Sequence, residues 1–452
     1  MRITAAQFRI IACMYLGYGA MMISRQMVTI LSPALLKDES LGFTVKDTGD
    51  ILAFGTIGAM MGKVVWGPLA DRIGGRLTFL LGVVLTGLLI TAFGLSYNVF
   101  AFTIFSALSY ATKSSGWPGM TKMVGYWFHP STYGRTWSIL STSSRASVFL
   151  GTLLFGWLLS FFHWRVVAFI STGTALLIYF VCRHYLREKP EDPDFLKKYH
   201  QQYADPEQAR EMEAALANQR NHPLEGTTLL QGLKAFATSV RCFWVFVMLM
   251  ALTCAMAILD FVPAYLLQVY KLTASQAAMA SAVMPLGSLI GVILSMFFYD
   301  RFSKKQLRFI LAAMLTVAVG CIVVLRYLPR LGLDGPTSFA GALAMILLFG
   351  ISIAPSYYIP MSIFSIEFGG PHSATLVSAI DMVAFAASAA FGFIAGRLVF
   401  DPGFGAGAGG HDWSNFMNFM LGIGSIAALS TWFFMHGEYR AAKKEAEALE
   451  AS

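Results

Sequence analysis

Apolar runs long enough to cross a bilayer recur along the whole chain, broken only by short polar turns. They fall at roughly 8–36, 49–69, 77–97, 99–127, 137–161 and 165–186, then at roughly 242–269, 275–299, 306–328, 337–366, 374–400 and 413–436. A spanning helix needs ~20 mostly apolar residues. In hydrocarbon every backbone N–H and C=O must be satisfied within the structure, so runs of this length are restricted to helices. Apolar residues make up 56% of the 452 positions and charged residues 13%, about half the ~25% usual for soluble domains. A single soluble core could not hide so much apolar surface. The expectation is an all-α membrane protein of 12 transmembrane helices. The run from Ile10 to Leu36 carries Arg25 and is too long for the apolar part of a signal peptide, so it is taken as span 1. Cys13, Cys182, Cys242, Cys254 and Cys321 lie in or beside the runs with no regular spacing, which points to neither a metal site nor a disulfide framework.

One long polar stretch, Arg187 to Arg241, separates the runs into six and six. This layout suits a transporter built from two similar halves. The expected organisation is a six-helix bundle over 1–187, a central linker over 188–241, a second bundle over 242–437 and a tail over 438–452. Within the linker, Pro206–Asn218 reads as a short surface helix. Lys and Arg set orientation through the short loops. Arg72, Arg76, Arg135, Arg301, Lys304, Lys305 and Arg308 fall on one side with the linker and the tail cations. That side is expected to be cytoplasmic, with both termini, in a plasma (cell inner) membrane. This bias accounts for most of the +8 net charge, so a nucleic-acid partner has no support.

The sharpest local motif lies between spans 2 and 3: Gly67-Pro68-Leu69-Ala70-Asp71-Arg72-Ile73-Gly74-Gly75-Arg76. Its glycine permits close helix approach, and its charges can latch helix ends in one state of a cycle. A worn copy, Asp300-Arg301, follows span 8, with Met296 where the repeat would place glycine. The echo points to internal duplication. On these residues the chain resembles the major facilitator superfamily, which implies two pseudo-symmetric six-helix bundles. Gly67, Asp71, Arg72, Arg76, Asp300 and Arg301 are the expected cytoplasmic gate.

Charges inside the runs are costly, at least ~2.5–3.5 kcal/mol each at mid-membrane, so they face a cavity or a partner. Arg25, Lys63, Lys113 and Arg145 lie in spans 1, 2, 4 and 5, while Asp260 and Asp381 lie in spans 7 and 11. Tyr18, Met22 and Arg25 share one helical face by spacing. Ser109, Lys113 and Gly116 form a polar stripe in span 4, and Ser138, Ser141 and Arg145 do so in span 5, as expected for walls of a water-filled cavity. Fixed cations in a low dielectric select anions; Arg adds a planar fork suited to phosphate or carboxylate. Alternatives stand beside these roles. Lys63 could snorkel to the inside end, Lys122 is placed at the interface, and Arg145 could pair with Asp260 or Asp381. Asp381 could carry protons or form a structural bridge.

A narrower resemblance rests on Gly17-Tyr18 with Arg25, on Gly62-Lys63-Val64-Val65-Trp66-Gly67, on Gly116-Trp117-Pro118 and on Ile258–Leu266. These pieces are similar to the organophosphate:phosphate antiporter family of glycerol-3-phosphate and hexose-phosphate transporters. The resemblance implies that Arg25 binds phosphate, that Lys63 belongs to the site and that Tyr18 faces it. Three positions depart from it. Ala255 stands where the family has a second phosphate arginine, Ser144 where it has a histidine, and Gln26 where it has a basic residue. Either Lys113 or Arg145 replaces the lost charge, or the substrate is a carboxylate or another organic anion.

The expectation is therefore a secondary transporter, not an enzyme. It carries a small organic anion by alternating access, as antiporter or proton symporter, and works as a monomer without cofactor or metal. The alternative is a non-transporting receptor for the same anion. No Walker A string is present, and Gly405, Gly407 and Gly410 lack the preceding strand that a dinucleotide site requires. Gly287/Gly291 and Gly392/Gly396 are expected helix-packing pairs. Pro355 and Pro360 are expected to break span 10.

Overall fold

The computed structural model describes residues 3–43, 45–201, 222–272, 274–400 and 413–450. The first half contains α1 (Ala5–Lys37), α2 (Val45–Ile73), α3 (Gly75–Gly94), α4 (Val99–Lys113), α5 (Gly116–Trp127), α6 (Tyr133–Leu158) and α7 (Trp164–Tyr185). Two short helices follow, α8 (Phe195–Gln201) and α9 (Leu229–Thr238). The second half contains α10 (Val240–Met256), α11 (Val262–Tyr270), α12 (Ala274–Ser281), α13 (Val283–Phe298), α14 (Lys304–Tyr327), α15 (Gly335–Tyr358), α16 (Pro360–Gly369), α17 (Ser373–Phe400) and α18 (Ser414–Glu450). The surface helix expected at 206–218 and the glycine string at 405–410 lie outside the described residues.

Each expected span is present as helix, and four are interrupted. Span 4 divides at Ser114-Ser115 into α4 and α5, and span 7 passes through a 3-10 turn, Ala257–Asp260, before α11. Span 8 is α12 and α13, and span 10 breaks at Ile359. Pro355 does not break span 10, because α15 runs through it, whereas Pro360 opens α16. Among the described residues nine stretches are long and apolar enough to cross a membrane, and one of them, Gly335–Gly392, covers two expected spans. Spans 4 and 5 are not among them. Span 4 is cut short at Ser114, and α6 carries Thr136, Ser138, Ser141, Thr142, Ser143, Ser144 and Arg145. The least lipid-compatible helices are thus those bearing Lys113 and Arg145.

Each half is held by the same backbone contact. In the first, a methyl group added to Gly58 or Gly62 of α2 would meet the carbonyl oxygen of Ala107 or Ala111 of α4 at 2.1 and 2.2 Å. In the second, Gly287 and Gly291 of α13 stand equally close to the carbonyls of Leu347 and Ile351 of α15, at 2.2 and 2.3 Å. Both glycine pairs and both carbonyl pairs are spaced i, i+4, so each pair presents one helix ridge to another. This repetition agrees with the duplication seen in the loop motif. Gly392, by contrast, meets nothing within 4 Å among the described residues where a side chain would point.

By contacts the chain divides into two units: Met1–Leu233 with Ser362–Met382, and Lys234–Met361 with Val383–Ser452. The end of α16 and the first part of α17 thus group with the first half.

Candidate functional site

Lys63, Gly67 and Asp71 lie at i, i+4 and i+8 on α2 and form one face of that helix. Asp381, Ser378 and Ala374 of α17 lie against them in reverse order, giving an antiparallel seam with three kinds of contact. At one end Lys63 Nζ donates to Asp381 Oδ2 at 2.5 Å, with Lys63 buried and the Asp381 side chain 16% exposed. In the middle, a methyl group on Gly67 would stand 2.6 Å from Ser378 Cβ and 3.0 Å from the Ala374 carbonyl, so only glycine permits this separation. At the other end the Asp71 carboxylate accepts from the backbone N–H groups of Ala374 (3.2 Å) and Thr375 (2.8 Å). These amides belong to the first turn of α17, where N–H groups have no partner in their own helix and the helix dipole favours an anion.

Two further residues complete this end. Lys122 of α5 is 8% exposed, reaches Asp71 at 3.2 Å and donates to the Pro371 carbonyl at 2.8 Å. It is a buried partner of the loop motif, in which the carboxylate and carbonyl replace the water it gives up. Glu188 accepts from the N–H groups of Gly75 (2.9 Å) and Arg76 (2.6 Å) at the start of α3. Gly74 has φ +91, a backbone conformation that L side chains rarely adopt. Arg72 is exposed and makes no hydrogen bond or ion pair among the described residues. Asp300 and Arg301 are exposed in the turn after α13.

The remaining charges gather beside the Lys63 end of the seam. Arg25, Lys63, Asp381 and Arg145 all act electrostatically on Lys113. Lys113 Nζ also lies 5.5 Å from the centre of the Tyr18 ring, and the Arg25 guanidinium lies 4.6 Å over Tyr110, both cation–π distances. Tyr18 is placed by Trp117, edge-on at 5.5 Å, and by Gly116, where a side chain would strike its ring at 2.6 Å. Trp117 stacks on Trp137 and donates to Ser362 Oγ at 3.2 Å. Arg25, Lys113 and Arg145 keep part of their surface accessible. The four sequence-predicted cations and Asp381 are therefore brought together, with Tyr18 against them. Asp260 closes the 3-10 turn of span 7, and its side chain lies outside the described residues.

The serine stripes behave differently from expectation. Ser109, Ser138 and Ser141 are fully buried, and Ser138 donates back to the Gly134 carbonyl of its own helix at 2.7 Å. They pack against protein instead of lining a wet wall. Ala255 is 1% exposed, and the Ser144 hydroxyl donates to the Ser141 carbonyl. Sequence reasoning missed Glu188, Ser378 and Lys122 as partners of the loop motif. A lysine inside an apolar run near an acidic loop was the available signal for Lys122; a lone glutamate beyond span 6 offered none.

The sequence pattern of the Major Facilitator Superfamily matches residues 14–393. A probable hexose phosphate transport protein of Chlamydia trachomatis is 25% identical over 310 residues, covering 66% of each chain. The chain thus spans just under two thirds of the length of the first curated relatives it matches. A glucose-6-phosphate exchanger of Bos taurus, SLC37A2, is 26% identical over 261 residues, 52% of this chain and 51% of that protein. Among solved structures, that of the proton:xylose symporter XylE bound to 6-bromo-6-deoxy-D-glucose covers 95% of both chains at TM-score 0.69 and 16% identity.

Proposed function

We propose, from the premise that the chain belongs to the Major Facilitator Superfamily, that it is a secondary transporter of a small organic phosphate, with sugar phosphates as the leading class. The observation that carries this is the grouping around Lys113, on which Arg25, Lys63 and Arg145 and the Asp381 carboxylate all act, so that basic side chains outnumber acidic ones among the described residues of the group. Excess charge in a low-dielectric interior draws a multivalent anion strongly. Arg25 supplies the fork that fits phosphate oxygens, and Lys63, Lys113 and Arg145 supply the remaining field. The relatives' names, hexose phosphate transport protein and glucose-6-phosphate exchanger, favour a phosphate ester over a carboxylate and exchange over proton symport.

The organisation we infer is two six-helix bundles over 1–187 and 242–437, joined by a linker over 188–241 and followed by a tail over 438–452. Both termini are cytoplasmic, in a plasma membrane. The seam between α2 and α17 is the cytoplasmic gate, with Gly67, Asp71 and Lys122 at its end. Lys63 belongs to both the seam and the cation group, so an arriving phosphate competes with Asp381 for its ammonium. Occupancy of the anion site thereby weakens one end of the gate. A ligand shifts a conformational equilibrium only through its different affinity for the two states, and this competition supplies such a difference.

The experiment is exchange in proteoliposomes of the purified chain loaded with inorganic phosphate, with labelled glucose 6-phosphate or glycerol 3-phosphate outside. Accumulation that requires internal phosphate supports the proposal. Binding of both esters without flux, either with internal phosphate or under a pH gradient, would identify a receptor and contradict it.

A further inference from the structure

Arg76 from the start of α3 and Arg183, His184 and Arg187 from the end of α7 line one open cleft with Phe180, about 490 Å³ in size. Arg76 belongs to the expected gate motif, but the transport proposal gives Arg183, His184 and Arg187 no role. We infer that this cleft binds the phosphate headgroup of an anionic phospholipid. Three observations carry the inference.

The cleft is built rather than a chance scatter of surface cations. Arg76 Nη2 donates to the Arg183 carbonyl at 3.0 Å, Arg183 Nη1 to the Tyr179 hydroxyl at 3.1 Å, and Arg187 Nη1 to the His184 carbonyl at 2.8 Å. Each guanidinium is positioned by a neutral oxygen and forms no ion pair among the described residues. Arg76 Nε is buried beside the cleft and has no hydrogen-bond partner among the described residues. The adjacent acid, Glu188, is engaged by the Gly75 and Arg76 amides.

The cleft also opens beside an apolar wall. Leu177 and Phe180 of α7 are 67% and 64% exposed, one turn apart on a helix long and apolar enough to cross a membrane. Cations at the end of such a helix stand at headgroup level, with the wall available to acyl chains. A soluble phosphate would use the first feature and not the second.

The third observation is a contrast within the chain. Arg308 lies near the start of α14, the third span of the second half, as Arg76 does in α3. There the guanidinium donates to His436 Nδ1 and stacks 4.3 Å over Trp432. The Nε of each arginine is buried without a hydrogen-bond partner among the described residues; the difference is that Arg308 meets the Trp432 ring and His436, whereas Arg76 borders the open cleft.

The test titrates the detergent-purified full chain with phosphatidylglycerol and, separately, phosphatidylcholine, reading bound lipid by native mass spectrometry. The unmutated chain is expected to retain phosphatidylglycerol preferentially. R183Q/R187Q should weaken that binding about thirty-fold, on the scale of two surface cations near an anionic lipid, and leave phosphatidylcholine unchanged. Equal retention of the two lipids by the unmutated chain, or undiminished phosphatidylglycerol binding by the folded double variant, overturns the site. Displacement of phosphatidylglycerol by millimolar inorganic phosphate overturns the lipid assignment in favour of a soluble anion. Should the double variant not fold, a photoreactive phosphatidylglycerol on the unmutated chain decides. Labelled peptides within 177–187 support the site, and labelling confined elsewhere contradicts it.

Discussion

Lys63 Nζ and Asp381 Oδ2 stand 2.5 Å apart, joining α2 to α17 across 318 residues of sequence. Lys63 is nearly buried, and a charge in such a place is tolerated chiefly through its partner. Replacing Asp381 by Asn keeps the shape and removes the competing charge. Phosphate or glucose 6-phosphate should then bind about ten-fold more tightly, the equivalent of ~1.4 kcal/mol, while exchange slows because the empty carrier loses one end of its gate. Isothermal titration and counterflow on the same preparation measure both. Weaker binding in Asp381→Asn would show that the carboxylate supports the anion instead of opposing it.

The Asp71 end of the seam should behave in the opposite way. Asp71→Asn retains one oxygen for the α17 amides but loses its charge at the helix N-terminus and its pairing with Lys122. The charge–dipole share alone is ~0.3–1 kcal/mol, rising to ~2 where partly buried. Turnover should change several-fold while substrate affinity stays within about two-fold, and Lys122→Met should have the same effect. A selective loss of affinity in either variant would place this end inside the binding site.

Much of this seam was legible on one side only. The loop motif announces itself because its glycine and charges fall within ten consecutive residues. Its partners on α17 carry no local mark: Ala374, Thr375 and Ser378 read as ordinary helix. The cation group was visible because charges in apolar runs are rare, although whether Lys63 snorkels or pairs depends on what faces it. Periodicity placed the serines of α4 and α6 beside Lys113 and Arg145. It could not tell a wet wall from a packed one, since a hydroxyl can satisfy itself on its own helix, as Ser138 does. The breaks at Ser114 and at Ala257–Asp260 interrupt hydrophobicity too little to be read from it, whereas the break at Ile359 was announced by Pro360.

A pH dependence follows from the clasp that the linker places on the loop before α17. One His222 ring nitrogen lies 3.2 Å from the Glu367 carbonyl, the other accepts from Leu224 N–H at 3.1 Å, and Thr227 Oγ1 lies 3.0 Å from His372 Nε2. Burial first, and then the neighbouring His372, lower the His222 pKa from its usual value near 6.5, against the raising influence of the Glu367 carbonyl and Glu225. The folded clasp therefore prefers neutral His222, and opening it takes up a proton. Its stability is complete above about pH 6.5 and falls as the pH drops toward the folded value. Amide exchange of residues 222–233 should accelerate between pH 7 and 5.5, and His222→Gln should flatten that dependence. Exchange that is slower at the lower pH would reverse the sign.

The central claim is that Arg25 anchors an anion within the cation group, and titration of Arg25 variants with glucose 6-phosphate and inorganic phosphate tests it most directly. Arg25→Lys keeps the charge and loses the planar fork, so binding should weaken by ~1.5–3 kcal/mol, the scale of a charged hydrogen bond. Arg25→Ala should weaken it further. Both variants should still insert: Arg25→Lys leaves the charge as it was, and Arg25→Ala removes a mid-membrane charge, which favours partitioning. Unchanged affinity in a folded Arg25→Ala protein would contradict the anion-anchor role and, with it, the proposed site.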